Sequence, residues 1–280
     1  MKRPTPQKII STSLRYLIVT LGAVIMLVPF VWMVSTAFKE YAYVIEFPPR
    51  LIPEHPSVQN FIDSWTTSNF QLYFKNSMLV GLSSLVLSVL ISSLTAYAFA
   101  RFEFPGKEVL FYLILLVLMV PNLISIIPQF FLAKAFNLRN SLVGLVLFYV
   151  AGSIPLNTFL LRGFFESLPK ELEEAMLIDG GNFFTIFIRM VLPLSKPALA
   201  TVSIFSMLGF WDEYVQALTF IDLPAKRTLP IAIASFQAQH GTDWGLVFAA
   251  ALIAVIPVIL IYISMQRYFT SGLTTGAFKG

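Results

Sequence analysis

ELEEAMLIDGGNFFTIFIRMVLPLSKP, residues 171–197, is a polar interruption in a chain otherwise built of apolar runs. Glu171, Glu173 and Glu174 open it, Gly180 and Gly181 break it, and Pro193 and Pro197 close it. Ser167 and Pro169 supply a helix start, since proline costs nothing in a first turn whose N–H has no partner. The carboxylates then sit at the positive end of the helix dipole. Leu168, Leu172, Ala175 and Met176 recur at helical spacing and form one apolar face. The glycine pair offers a break where φ can turn positive. A second short helix is expected next, with Phe183, Phe187, Met190, Val191 and Leu194 on one stripe and Asn182, Thr185 and Arg189 on another. Pro193 and Pro197 end it and turn the chain into the following apolar run.

Such a helix pair either lies on a membrane surface or docks on a protein. Surface helices favour Lys and Arg on the polar face, where they meet anionic headgroups. Residues 166–196 carry five acids (Glu166, Glu171, Glu173, Glu174, Asp179) against three bases (Lys170, Arg189, Lys196). That balance suits a basic protein partner better.

The rest of the chain sets the surroundings. Of 280 residues, 57% are hydrophobic and 12% charged, with a mean hydropathy of +0.77. A soluble domain carries about 25% charged residues, so the chain reads as an all-α polytopic membrane protein. A bilayer core needs about 20 helical residues per crossing. Six runs qualify: 16–38, 77–100, 109–132, 142–164, 198–220 and 244–263. The first follows Lys2, Arg3, Lys8 and Arg15 but is too long for a signal peptide's apolar core, and reads as a retained anchor. With six spans both termini share a side. Placing them in the cytoplasm puts twelve of the 19 Lys and Arg inside and seven outside, as the positive-inside rule prefers. The expected division is a tail, first span and external loop over 1–72, a five-span core over 73–270 with the polar loop at 166–197, and a tail over 271–280. Within the external piece, Pro48, Pro49, Pro53 and Pro56 mark an extended or turning segment, and SVQNFIDSW a short helix.

The pattern Glu174-Ala175-Met176, then Asp179-Gly180-Gly181, then Leu192-Pro193 and Pro197, resembles the EAA loop of ABC-importer permeases. In that family the loop reads Glu-Ala-Ala, a spacer, Asp-Gly-Ala and a Leu-Pro ending; Met176 and Gly181 depart from it. YFKNSMLVG (73–81), AYAFARFEFPGK (96–107), LRNSLVGLVL (138–147) and FWDEYVQAL (210–218) are similar to the carbohydrate-importer branch, in particular the shorter permease of maltose-type systems. The resemblance implies a type I importer fold with a coupling-helix loop between the fourth and fifth spans. It implies a heterodimer with a second permease, two copies of a cytoplasmic ATPase that bind the ATP and Mg, and an external solute-binding protein. Glu173, Glu174, Ala175, Met176, Asp179, Gly180, Gly181, Leu192, Pro193 and Pro197 would form the coupling loop. In it, Glu174 would meet a basic group of the ATPase, Gly180 would shape the turn, and Pro193 and Pro197 would stiffen the link to the fifth span.

Chemistry elsewhere is sparse. The chain has no G-x-x-x-x-G-K-[ST], so it is not expected to bind ATP or any other cofactor itself. It has no cysteine, and its two histidines, His55 and His240, fall in expected external loops. A net charge of +4 is too small to suggest nucleic acid. Ionisable and polar groups within spans are costly and often functional. Asp212 and Glu213 lie in the fifth run, where they line a polar route beside Trp211, or else cap or brace a helix end near water or pair with a partner permease. Tyr149, Ser153 and Asn157 share a face of the fourth run; Asn122, Ser125 and Gln129 share one in the third. Each stripe is either helix–helix glue or a pathway wall. The leading expectation is a permease subunit of a binding-protein-dependent sugar importer in a bacterial-type inner membrane. The alternative is an ion-driven secondary transporter, which would usually show internal repeats; an intramembrane enzyme would need a nucleophile–base pair or metal ligands.

Overall fold

A computed structural model of the chain describes residues 6–40, 50–67, 69–236 and 243–277, with the side chains of 6–11 and 269–277 excepted. His240, Pro48, Pro49 and much of both expected tails lie outside the described residues. The described chain is helical, and its one β feature is an isolated bridge between Lys39 and Pro56. It divides into two compact units, Met1–Ser68 with Ile233–Ile253, and Asn69–Ala232 with Ala254–Gly280.

In the first unit, α1 (Pro6–Ala37) is apolar on all sides. Its Thr12–Ala37 stretch is long enough to cross a bilayer, and Ile25 and Met26 stand fully open. Among its described side chains cover begins at Trp32 and Met33, and Ser35, Thr36 and Ala37 are buried. Asn60, on α2 (Gln59–Thr66), donates from Nδ2 to the carbonyls of Ala37 at 3.0 Å and Lys39 at 2.7 Å. Phe38 and Phe61 pack with ring centres 5.0 Å apart, and Ser57 N–H bonds the Phe38 carbonyl at 2.9 Å. The short helix expected in SVQNFIDSW is thus present as α2, folded back on the end of α1.

The second unit is organised by α3 (Phe70–Arg101) packed along α6 (Leu142–Glu166). Ser77, Gly81, Ser84, Ser88 and Ser92 recur every three or four residues on α3 and are all buried: Ser88 meets Ser153 and Asn157 of α6, a Cβ on Gly81 would touch Met207 and Trp211, and Ser77 accepts from the Leu229 N–H. Two apolar clusters sit towards opposite ends of the pair. One gathers Val80, Leu145, Tyr149, Ala217 and Phe220; the other gathers Tyr97, Leu161, Phe165, Phe187 and Val191.

The third and fifth expected spans are not single helices. The third is α4 (Lys107–Met119) and α5 (Asn122–Ala135), bent by 105°. Pro121 crowds the backbone of Val120, which adopts φ −88°, ψ 118° and so cannot continue the helix. Pro128, inside α5, does not break it. The fifth run, expected over 198–220, is α9 (Lys196–Trp211), an irregular Asp212–Tyr214 link, and α10 (Val215–Phe220). Upstream, α7 (Lys170–Ile178) and α8 (Phe183–Leu194) are the two loop helices, and α8 meets α9 at 77°. The last elements are α11 (Leu229–Phe236) and α12 (Trp244–Ala277). Four stretches cross a bilayer unbroken by length and composition, and up to six do if each bent pair counts as one.

Candidate functional site: a coupling loop and a polar interior

The turn between α7 and α8 follows from its two glycines. Gly180 has φ +82°, a conformation that L side chains rarely adopt. Its N–H bonds the Leu177 carbonyl at 3.0 Å, and the Gly181 N–H bonds the Met176 carbonyl at 2.9 Å. This is the Schellman closure of a helix end. A Cβ on Gly181 would stand 2.7 Å from that same Met176 oxygen, so the turn as folded here favours glycine at this position. Asn182 then caps α8, its Oδ1 accepting from the Thr185 N–H at 2.8 Å and the Thr185 hydroxyl at 3.0 Å. Within α8 the helix widens to a π turn at Phe187–Val191. Pro193 has no N–H for the Arg189 carbonyl and crowds it, so the turn before it loosens.

The loop helices present different faces from those that simple spacing suggests. Leu168, just before α7, and Met176 on it pack on the apolar cluster, whereas Leu172 and Ala175 face outward with Glu171, Glu174, Ile178 and the following Asp179. Glu173 is what turns the helix this way. Its Oε1 lies 2.5 Å from Nε of Arg101, with side-chain exposures of 14% and 4%. Arg101 also donates from Nη2 to the Leu168 carbonyl at 3.0 Å. On α8 the buried face is Ile186, Phe187, Met190 and Val191, while Phe183 and Leu194 of the expected stripe are exposed. Tyr97 packs on Phe187 at 5.1 Å and donates to the Phe183 carbonyl at 3.4 Å. The outward surface therefore combines carboxylates with open apolar side chains, Ile178 being 86% exposed and Phe184 66%.

The polar residues of the spans fall into two networks. In the first, Asn157 is buried and donates both amide hydrogens, to Ser88 at 2.9 Å and Ser206 at 2.8 Å; Ser88 and Ser153 share a hydrogen bond of 2.6 Å. This joins α3, α6 and α9, and its saturation supports the glue reading. In the second, the Glu213 carboxylate accepts from Tyr149 Oη at 2.9 Å and from the backbone N–H groups of Gln216 at 2.7 Å and Ala217 at 3.0 Å. Glu213 thus holds the first turn of α10 on α6. Gln216 donates to Gln129 at 2.8 Å, and Gln129 to Ser125 at 3.0 Å. Trp211 is buried, its indole N–H bonded to the Ala254 carbonyl at 2.9 Å and its ring set edge-on to Phe74. That environment braces a helix end and leaves no face open for stacking. Asp212, Tyr214 and Asn122 remain exposed. Among the described residues no group of His, Cys, Asp and Glu is arranged to hold a metal.

Spacing along the spans singled out neither Arg101, Tyr97, Ser88, Ser206 nor Gln216. Ser88 was visible as the middle of three serines, 84, 88 and 92, spaced by four along α3. Arg101 was visible as a lone cation at the end of an apolar run beside aromatic residues.

The binding-protein-dependent transport system inner membrane component family matches residues 88–275. The diacetylchitobiose uptake system permease protein NgcG of Streptomyces coelicolor is 35% identical over 269 residues, covering 95% of this chain and 89% of that one. The trehalose/maltose transport system permease protein MalG of Thermococcus litoralis is 34% identical over 274 residues, covering 95% and 98%. A crystal structure of a bacterial ABC transporter that imports the acidic polysaccharide alginate contains a chain that superimposes with a TM-score of 0.81 at 21% identity, over 96% of this chain and all of that one. The fold, the loop of paired short helices and these sequence matches agree: the chain belongs to the binding-protein-dependent transport system inner membrane components, the permease subunits of ABC importers.

Proposed function

We propose that the chain forms one half of the translocation pathway of an ATP-driven importer for a neutral sugar or sugar-like solute. The α7–α8 loop is its dock for a cytoplasmic ATPase. The observation that carries the docking role is the outward face of that loop, with Glu171, Glu174 and Asp179 set among exposed Ile178 and Phe184 while Glu173 is drawn inward. Such a face matches a basic, partly apolar cleft on a protein better than anionic headgroups. The named sugar permeases among its relatives support the solute class. The solute class also suits the spans: Asp212 and Glu213 are acidic, and no Lys or Arg occurs in 76–100, 109–133, 140–161 or 197–225. Within those stretches an anionic solute would meet carboxylates and no Lys or Arg. A second permease completes the pathway, two ATPase copies bind ATP and Mg, and a solute-binding protein delivers from the far side. The loop and both termini face the cytoplasm in this reading. Asp212, Tyr214, Asn122 and Gln129 are the groups best placed to meet the solute, and Trp211, Glu213, Ser153 and Asn157 hold the frame.

The test is co-purification with a Walker-A ATPase subunit. The native chain is expected to retain it and Glu174→Lys to lose it. Equal retention by Glu174→Lys and the native chain would rule out docking through this face.

A further inference from the structure

Both ends of α3 are clamped to segments distant in sequence. At one end Arg101 holds the entry to the loop, through Glu173 at 2.5 Å and the Leu168 carbonyl at 3.0 Å. One turn back, Tyr97 holds α8 through Phe187 and the Phe183 carbonyl, and Phe102 sets its ring 5.0 Å from that of Phe183. A single helix end therefore grips both loop helices. At the opposite end, Asn76 donates to the carbonyls of Ala225 at 3.0 Å and Arg227 at 2.9 Å, and Ser77 accepts the Leu229 N–H at 2.8 Å. Between the clamps α3 contains no proline and no break. From Ser77 to Arg101 it reaches about 36 Å, at 1.5 Å per residue.

The covalent route out of the loop is softer. It passes through the π turn of Phe187–Val191 and the 77° bend into α9, which itself stops at Trp211. A displacement of α7 and α8 is absorbed more easily in a widened turn and a bend than along an uninterrupted helix packed on α6.

We infer that α3 is the strut that carries movement of the α7–α8 loop to the 225–229 segment on the opposite side, with Arg101 as the positioning residue that locks the loop to it. This rests on the proposed ATPase docking. The Arg101–Glu173 pair is nearly sealed from water and meets at Nε and Oε1 as a charge contact without hydrogen-bond geometry; removing one partner strands the other charge, so the contact ties α7 to the end of α3.

The absence of cysteine from the native chain allows a direct test. Single nitroxide labels go on Lys170→Cys, in the loop, and Ala225→Cys, at the far clamp; both positions are exposed. The probe is MgATP added to the purified complex of this chain with its partner permease and ATPase. In the native background both labels are expected to change their spectra. With Arg101→Ala the Lys170→Cys change persists, which shows that the ATPase still docks and closes, while the Ala225→Cys change falls at least about fivefold, the size of a modest coupling. Arg101→Lys restores at least half of it, and Asn76→Ala, at the other clamp, reproduces the loss. A full Ala225→Cys response in either Arg101→Ala or Asn76→Ala overturns the strut. So does a native complex in which Lys170→Cys responds and Ala225→Cys does not. A native complex in which neither label responds defeats the docking proposal itself.

Discussion

Gly180 and Gly181 illustrate how separate residue-scale causes converge on one turn. Gly180→Ala pays the left-handed backbone penalty of about 1–2 kcal/mol, whereas Gly181→Ala must displace the Met176 carbonyl, 2.7 Å from the added carbon. Both are expected to lower the thermal midpoint of the purified complex, and for Gly180→Ala the loss is partly recovered by Gly180→Asn, since asparagine tolerates that φ. Asn157 supplies a second prediction. Two saturated bonds to Ser88 and Ser206, each worth about 0.6–1.7 kcal/mol in a membrane interior, make Asn157→Leu destabilising by about 1–3 kcal/mol in a denaturation series. Asp212→Asn, at an exposed carboxylate, is expected to leave that stability unchanged and to alter uptake instead. The glycine pair and the acidic helix start were readable in the sequence because turn chemistry is local. Glu173 and Glu174 were not distinguishable there. Which of two adjacent carboxylates turns inward depends on Arg101, some seventy residues earlier, and no local rule reports that distance.

Elements show the same division. The presence of α3 and α6 was legible from hydropathy, since each must span a bilayer without exposing backbone, although α3 begins at Phe70, seven residues before the expected run. Hydropathy is blind to direction, however. Residues 109–132 carry no charged side chain, yet Pro121 turns the chain by 105°. The proline was visible, but Pro155 and Pro257 sit within unbroken helices, so proline alone does not mark a break. What differs at 120–121 is that Val120 is extended and Pro121 opens a new helix. The fifth run likewise ends where Glu213 captures the N–H groups of Gln216 and Ala217, a side-chain substitution for helix continuation that composition does not reveal. The α3–α6 contact carries its own prediction. Ser88 is fully buried against α6, so Ser88→Leu overpacks the seam at a cost of about 1–3 kcal/mol, while Ser88→Ala costs less. Thermal denaturation of the two variants in the same detergent ranks them.

At the scale of the molecule, the chain is a permease with a strongly polar loop held by one end of α3. The exposed acids and apolar groups of α7 and α8 offer a partner a grip, and the clamps at Arg101 and Asn76 give that grip a way through the membrane-spanning bundle. Family membership makes transport the activity, and the polar interior of the spans is a frame around few free groups, of which Asp212 is the only open carboxylate among the described residues of 198–220. The central claim, that transport is driven by an ATPase pulling on this loop, is tested most directly by uptake into proteoliposomes holding the complete complex, with diacetylchitobiose and trehalose as the first solutes offered. The account predicts uptake that requires internal MgATP, survives ionophores that collapse ion gradients, and is abolished by Glu174→Lys. Uptake that proceeds without any ATPase subunit, or that stops when the ion gradient is dissipated, would contradict it.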